Sequence, residues 1–114
     1  MIHIYHNPRC RKSREAMARL EASGKYFEVI EYLKNPLSES DIKGLLEKLA
    51  ISPLALVRKG ETIWKEQYKG RELNDAEIIE ALAKHPKLIE RPIITRGNQA
   101  VVARPAELMD PILN

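Results

Sequence analysis

The sequence predicts an α/β fold in which helices flank a mixed four-stranded sheet. Strand-like segments, which alternate or are rich in β-branched and aromatic residues, are separated by segments with apolar residues at helical spacing. A strand-helix-strand order at the start implies parallel pairing, and a glycine-containing turn between two apolar runs near the end implies an antiparallel hairpin. The length of 114 residues fits one domain.

The first part of the chain predicts a strand, a helix and a second strand. Residues 2 to 6 alternate and run into a loop at Asn7-Pro8. A helix follows, with Ser13 as its N-cap and Gly24 as its stop, because apolar residues recur at helical spacing at Ala16, Met17 and Leu20. Residues 26 to 33 are aromatic and β-branched and predict the second strand.

The middle of the chain, at about 38–88, predicts a helical insertion. One helix opens at residues 38–41 with a capping-box pattern, and another begins at Asn74 and ends before His85-Pro86. Between them, Ser52-Pro53 starts a short helical segment that is expected to run to Arg58. Residues 60 to 73 have no assigned structure.

The end of the chain predicts a hairpin and a helix. Residues 93–95 and 100–102 flank a Gly97-Asn98 turn, and Pro105 starts a last amphipathic helix. A β-α-β half, a helical insertion and a β-β-α half form the outline of a thioredoxin-like fold, so residues 1–114 are expected to be a single domain of this kind.

Composition excludes several classes of protein. With 44% hydrophobic and 31% charged residues, the chain is neither disordered nor collagen-like nor a coiled coil. A net charge of +3 is too small to indicate wrapping of nucleic acid but is compatible with small anionic partners. No run approaches the roughly 18 apolar residues of a membrane span, and the first residues lack the order of a signal peptide, so we expect a cytoplasmic protein with no membrane partner.

Cysteine and histidine usage limits the redox and metal chemistry. Cys10 is the only cysteine, so it cannot form an internal disulfide. The histidines His3, His6 and His85 do not have the spacing of metal ligands, and no metal site is predicted. Any disulfide chemistry at Cys10 therefore needs an outside thiol.

The surroundings of Cys10 predict a nucleophile beside an anion site. The residue is expected just before a helix, at the carboxyl end of the first strand, where open α/β sheets place their sites. The helix start offers free N–H groups and the positive end of its dipole, and the Ser13 hydroxyl can donate a hydrogen bond. These features favour the thiolate and would also bind a tetrahedral oxyanion. Basic residues add positive charge at Arg9, Arg11, Lys12 and Arg14.

Other interpretations of these residues stay open. A lone cysteine is more often a buried apolar residue, although its position between Pro8 and a helix favours the functional interpretation here. Ser13 stands where a dithiol motif carries its second cysteine, and it is equally a helix N-cap. The ring of His6 either orients the loop or bonds to the backbone, and we expect the backbone bond.

Three arginines have distinctive positions. Arg91 and Arg104 each precede a proline, at the beginning and the end of the predicted hairpin, and Arg58 ends the short segment that begins at Ser52. Taken singly, each is most simply a surface arginine. Nothing in the periodicity shows that the three converge.

The order of these motifs resembles the arsenate reductase family of the glutaredoxin-dependent, thioredoxin-fold type, the ArsC-like proteins. The resemblance covers essentially the whole chain. A cysteine loop is followed by three separated arginines, two of them before proline, which is a specific pattern. The segments that carry it are YHNPRCRKSR, LVRK, HPKLIERPII and ARPAE.

The resemblance implies a catalytic role for Cys10 and a cis peptide bond before Pro92. It also implies that arsenate, or the arsenite adduct, is bound by Arg58, Arg91 and Arg104. His6 and Ser13 match positions of the family's loop that would support the thiolate, and we assign the same supporting role to Arg11.

The implied reaction is arsenate reduction, an oxidoreductase activity of arsenic resistance. The Cys10 thiolate attacks arsenate or a similar oxyanion, glutathione acts as co-substrate rather than bound cofactor, and glutaredoxin resolves the mixed disulfide. One feature departs from the family, because arsenate reductases of this type carry small residues around the cysteine. The additional positive charge here is compatible with another anion or thiol.

Three alternatives compete with this function. A regulatory module similar to Spx-type proteins would bind RNA polymerase, but such proteins sense oxidation through two cysteines, and Ser13 removes the second. A general glutathione-dependent thiol transferase would never act on arsenic. Nucleic-acid binding through the basic residues lacks an aromatic platform, since Phe27 and Trp64 are better explained as core residues.

Overall fold

The computed structural model describes residues 1–114 and contains two compact units. Unit 1 comprises Met1–Asn35 and Arg91–Asn114, and unit 2 comprises Pro36–Glu90. The helical insertion that the sequence predicts at about 38–88 lies inside unit 2. None of the helices in either unit is long and apolar enough to cross a membrane.

Unit 1 contains the mixed four-stranded sheet that the sequence predicts. The strand order is β2-β1-β3-β4. β1 pairs in parallel with β2 and antiparallel with β3, and β3 and β4 form the antiparallel hairpin. The hairpin turns at Gly97, whose φ of 59° is a left-handed conformation that favours glycine. The strands are β1 Ile2–Tyr5, β2 Phe27–Ile30, β3 Ile93–Arg96 and β4 Gln99–Val102.

Two helices complete unit 1, α1 (Arg11–Ala22) and α5 (Asp110–Leu113), the latter following a 3-10 turn at Ala106–Met109. The single C-terminal helix expected from Pro105 onward is therefore wrong in detail. Pro111 has no N–H to donate to the carbonyl one turn earlier, so the segment divides into a 3-10 turn and a short helix.

The core of unit 1 lies between one face of the sheet, α1 and the C-terminal segment. Arg19 in α1 donates two hydrogen bonds to the carboxylate of Asp110, at 2.8 and 2.6 Å, which joins α1 to α5. The apolar residues of this core are Ile2, Ile4, Ala16, Leu20, Ile94, Ala103, Ala106, Met109, Ile112 and Leu113.

Unit 2 is helical. The segment at 60–73, which had no assigned structure, contains α3, whose six residues are too few to show an apolar period in the sequence. Trp64 of this helix is buried, as expected of a core residue. The helices are α2 Glu39–Leu49, α3 Thr62–Gln67 and α4 Asp75–Lys84, with 3-10 turns at Pro53–Leu56 and Pro86–Leu88.

Two boundaries differ from the sequence prediction. The segment that begins at Ser52-Pro53 ends at Leu56 rather than Arg58, because Val57 is extended and forms a β-bridge with Ile89. The second strand is shorter than residues 26 to 33: pairing ends at Ile30, and the burial of Tyr32 (1% exposed) explains why its sequence looked strand-like.

Candidate active site

The register of the sheet brings three segments of unit 1 to one edge. Tyr5, the last residue of β1, pairs with Ile93 at the start of β3, and Ile93 pairs with Val102 at the end of β4. The loop after β1 therefore lies at the same edge as the residues before β3 and after β4. These segments carry Cys10, Arg91 and Arg104. The edge combines a thiol with two guanidinium groups.

The cysteine loop is held by its own backbone. The N–H of Cys10 donates to the carbonyl of Asn7 at 3.0 Å, and the side-chain oxygen of Asn7 accepts from the N–H of Arg9 at 3.0 Å. The Nη1 of Arg14, one turn into α1, donates to the carbonyl of Pro8 at 3.1 Å. These bonds fix Cys10 directly before the helix, with only 9% of the residue exposed.

Cys10 itself is the N-cap of α1, so the expectation that Ser13 is the N-cap is wrong. The backbone of Cys10 is extended (φ −93°, ψ 124°) and the helix begins at Arg11. Ser13 lies in the first turn and is fully buried. Its Oγ accepts a hydrogen bond from the N–H of Asn7 at 3.0 Å and lies 2.6 Å from Nδ1 of His6. Ser13 therefore ties the loop to the helix instead of capping it.

His6 is buried, and its environment favours the neutral form of the imidazole. The expectation that its ring bonds to backbone is wrong for Nδ1, which contacts the Ser13 hydroxyl. Burial, with a smaller effect of the Arg14 charge, lowers the pKa of His6 below its ordinary value of 6.5, and the Glu31 carboxylate only partly opposes this. A neutral imidazole can exchange a hydrogen bond with Ser13 without placing a second charge beside Cys10.

No acidic side chain compensates the positive end of the α1 dipole. The helix has no acidic residue in its first turn, and the Cys10 side chain makes no capping hydrogen bond. The first N–H groups of the helix and the positive end of its dipole therefore lack a compensating negative charge. A thiolate at Cys10 would supply that charge.

Arg11 contributes charge rather than contact. Its side chain is 84% exposed, and its Nε lies 3.3 Å from Oε1 of Glu15, one turn along the helix. Lys12 lies near the same carboxylate, at 3.6 Å. The predicted support of the thiolate by Arg11 can therefore act only through the electrostatic field at the helix start.

Arg91 has the burial and the missing partners of an anion ligand. Its Nε and Nη1 atoms are buried and have no hydrogen-bond partner. Its carbonyl accepts from Nη1 of Arg104 at 3.4 Å, and the side chain of Arg104 is exposed. Because unpaired buried donors are unfavourable, the guanidinium of Arg91 is poised for an acceptor group. The peptide bonds before Pro92 and Pro105 are both cis.

Arg58 has a different environment, in unit 2. Its Nη1 donates to Glu61 at 2.7 Å, and its Nε lies 3.9 Å from Glu90. Its backbone N–H donates to the carbonyl of Leu88 at 2.7 Å. Two carboxylates of the same unit therefore already compensate the charge of Arg58, whereas the guanidinium of Arg91 has free donors.

Several features of the site were missed in the sequence. The role of Asn7 in bonding the Arg9 N–H and the cis bond at Pro105 were not predicted. The Asn-Pro pair was a signal for the first, since asparagine often bonds nearby backbone. The sequence did not indicate that Arg91 is more buried than Arg104, because both arginines precede a proline.

Neither unit gathers three His, Cys, Asp or Glu side chains that could hold a metal ion. The groups that the site does bring to one edge of the sheet are a thiol, loop amides and guanidinium groups. Comparison with known proteins shows which family has this combination. Residues 5–112 match the ArsC family. The chain belongs to the ArsC family.

Individual ArsC proteins agree with this assignment. An arsenate reductase of Neisseria meningitidis is 38% identical over 114 residues, covering 98% of this chain and 97% of its own. An arsenate reductase of Haemophilus influenzae is 36% identical over 112 residues, covering 96% and 97%. The structure of an arsenate reductase from Vibrio cholerae has a TM-score of 0.93 and 42% identity, and covers 97% of this chain and 96% of that one. The thioredoxin-like α/β fold is thereby confirmed.

Proposed function

We propose that this ArsC-family protein is an arsenate reductase in which Cys10 is the nucleophile. The names of its relatives support the substrate. The observation that carries the proposal is that Nε and Nη1 of Arg91 are buried without a hydrogen-bond partner, at the sheet edge that also holds the Cys10 loop. A tetrahedral oxyanion fits such donors, because its oxygens accept several hydrogen bonds at once.

The first step joins sulfur to arsenic. The Cys10 thiolate attacks arsenate, an As–S bond forms, and one oxygen leaves as water after it has gained protons. Arg91 and Arg104 would stabilise the negative oxygens, and the amides at the start of α1 would stabilise the thiolate before attack. Arg58 is a proposed oxyanion ligand on the family resemblance alone, and its guanidinium would have to exchange Glu61 or Glu90 for an anion.

The second step reduces arsenic. Glutathione thiolate attacks the sulfur of Cys10, an S–S bond forms, and the As–S bond breaks with its electron pair left on arsenic. Arsenic thus changes from the arsenate to the arsenite level by gaining the two electrons that the two sulfurs lose. Glutaredoxin then removes glutathione from Cys10 by thiol–disulfide exchange. An external reductant is required because the chain has one cysteine.

His6, Ser13 and Pro92 have supporting roles in this proposal. The bonds from Ser13 to His6 and to the Asn7 N–H hold the cysteine loop against α1. Pro92 sets the position of Arg91 before β3. A reducing, cytoplasmic location suits a mechanism that consumes glutathione.

The test is a coupled assay with arsenate, glutathione, glutaredoxin and a reductase system that reports thiol oxidation. Arsenate-dependent turnover is expected with the wild-type protein and none with Cys10→Ser, because an alcohol does not form the arsenate adduct or the disulfide. Ser40→Ala, which changes an exposed serine in α2, is the control and should retain activity.

Two results would contradict the proposal. Turnover by Cys10→Ser equal to that of the wild type would remove the mechanism. Rapid removal of glutathione from a glutathionylated peptide, without any arsenate-dependent turnover, would identify a general thiol transferase instead.

A further inference from the structure

The net charge of the protein is concentrated beside the thiol. The chain has 19 Lys and Arg and 16 Asp and Glu residues, a net charge of +3. Residues 9 to 15 contain four of these cations and one carboxylate, Glu15, which leaves fifteen of each sign in the rest of the chain. The whole excess therefore lies within the seven residues that contain Cys10. We call the four cations the basic collar: Arg9, Arg11, Lys12 and Arg14.

The basic collar faces solvent, and Glu15 compensates only part of it. All four side chains belong to exposed residues, and Arg11 is 84% exposed. Arg11 and Lys12 share Glu15, at 3.3 and 3.6 Å. Arg14 donates to a backbone carbonyl, and the side chain of Arg9 has no hydrogen bond or ion pair. Structural ion pairing therefore does not account for four cations here.

The basic collar is also small. Arg9 and Arg11 are chain neighbours of Cys10, with Cα atoms about 3.8 Å away, and Arg14 is one helical turn along α1, a rise of about 6 Å. A tripeptide spans about 10 Å when extended. A thiol of that size, bonded to Cys10, would place its ends among the four cations.

We infer that the basic collar selects the thiol that attacks Cys10, favouring a small thiol that carries carboxylates on both sides of its sulfur. This inference rests on the proposed function, in which an external thiol forms a mixed disulfide with Cys10. We assign Arg9 and Lys12 to the approaching thiol and not to arsenate, for which Arg58, Arg91 and Arg104 are the proposed ligands. The basic collar would therefore determine specificity for the reductant.

The electrostatics of exposed cations fit such a role. A surface ion pair adds little to binding affinity. A concentrated charge of one sign nevertheless raises the rate at which oppositely charged molecules meet it, by about tenfold or more at low salt. The expected consequence is a faster second-order reaction with carboxylate-bearing thiols, which salt weakens.

Disulfide exchange at Cys10 tests the inference without arsenic. The protein is first converted to its neutral 2-pyridyl mixed disulfide. The attacking thiolate then bonds to the sulfur of Cys10, the original S–S bond breaks, and pyridine-2-thione leaves with the electron pair and is followed by absorbance. Glutathione is compared with its dimethyl ester, which differs only in its two carboxylates, and the ratio of the two rate constants is measured.

The double substitution Arg9→Glu with Lys12→Glu should lower this ratio about tenfold at low salt. The matched control, Lys25→Glu with Lys43→Glu, makes the same change in net charge. Lys25 is exposed beyond the far end of α1, whose twelve residues span about 18 Å, and Lys43 is exposed on α2. The control should leave the ratio unchanged. Because each protein reacts with both thiols, changes in the reactivity of Cys10 itself cancel.

The outcomes separate the two hypotheses. An unchanged ratio in the double variant, an equal fall in the control, or a wild-type ratio insensitive to salt would each overturn the role of the basic collar. A tenfold fall in a protein that shows no arsenate-dependent turnover would keep the thiol selection and reject arsenate reduction. A fall in the exchange rate with both thiols alike would indicate a general effect on Cys10 and contradict selection.

Discussion

The three long helices of this protein, α1, α2 and α4, start in two contrasting ways. α2 and α4 begin with complete capping boxes, in which Ser38 pairs with Asp41 and Asn74 pairs with Glu77. Their first turns are acidic and compensate the helix dipole. α1 has Cys10 as its N-cap, with no side-chain cap, no acidic residue in its first turn and basic residues around it.

The difference separates starts that are capped by their own side chains from one that is open to an anion. In α2 and α4 the capping box bonds two N–H groups and the first turn carries acidic side chains, which disfavour an anionic ligand. The start of α1 leaves N–H groups and positive charge uncompensated, which destabilises the helix but stabilises a thiolate or an oxyanion. A charged sulfur at Cys10 would supply the missing cap.

Among the substitutions that test this contrast, Ser13→Ala is expected to change stability and Cys10 reactivity the most. The substitution removes the partner of Nδ1 of His6 and of the Asn7 N–H in a fully buried place, which should lower the free energy of unfolding by about 1–3 kcal/mol. Because the loop loses its tie to α1, alkylation of Cys10 at neutral pH should also slow. Urea denaturation and the iodoacetamide reaction rate measure the two effects.

Ser40→Ala is the matched control for Ser13→Ala, since it truncates an exposed serine in the first turn of α2. It should change neither the free energy of unfolding nor the rate of Cys10 alkylation appreciably. Equal alkylation rates for Ser13→Ala and the wild-type protein would show that the loop does not depend on this hydroxyl.

A smaller effect is expected from Asn74→Ala, which removes the N-cap of α4. The Glu77 N–H loses its acceptor, so the free energy of unfolding should fall by about 1 kcal/mol. Alkylation of Cys10 should be unaffected, because the cap of α4 serves stability only. If this variant slowed alkylation as much as Ser13→Ala, the functional distinction between the two kinds of helix start would be wrong.

The smallest expected effect is a change in the free energy of unfolding with pH. Burial holds the pKa of His6 below 6.5 in the folded protein, so the unfolded chain takes up its proton first as the pH falls through 6.5. The free energy of unfolding should therefore decrease between pH 7.5 and values below 6.5. His6→Asn should show a smaller decrease, measured by urea denaturation at several pH values.

His85 provides the internal reference for this measurement. Burial, followed by the Lys84 charge, lowers the pKa of His85 as well, and it contributes equally in both proteins. An identical pH dependence for wild type and His6→Asn would contradict the burial of a neutral His6.

The amino-acid sequence by itself determined the sheet and most of the helices, and it singled out Cys10 as the candidate nucleophile. Local signals were sufficient: alternation in β1, capping boxes in α2 and α4, a Gly-Asn turn in the hairpin, and a cysteine among basic residues before a helix. α3 was not predicted, because its six residues are too few to show an apolar period. Ser13 was misassigned because serine is common both at an N-cap and inside the first turn.

Only the tertiary structure decided which polar groups meet. The register of β1, β3 and β4 brings Arg91 and Arg104 to the edge that carries the cysteine loop, although these arginines follow Cys10 by 81 and 94 residues in the chain. Folding buries Nε and Nη1 of Arg91 without a partner and gives Arg58 two carboxylates. Burial and pairing depend on residues distant in sequence, and local periodicity carries no information about them.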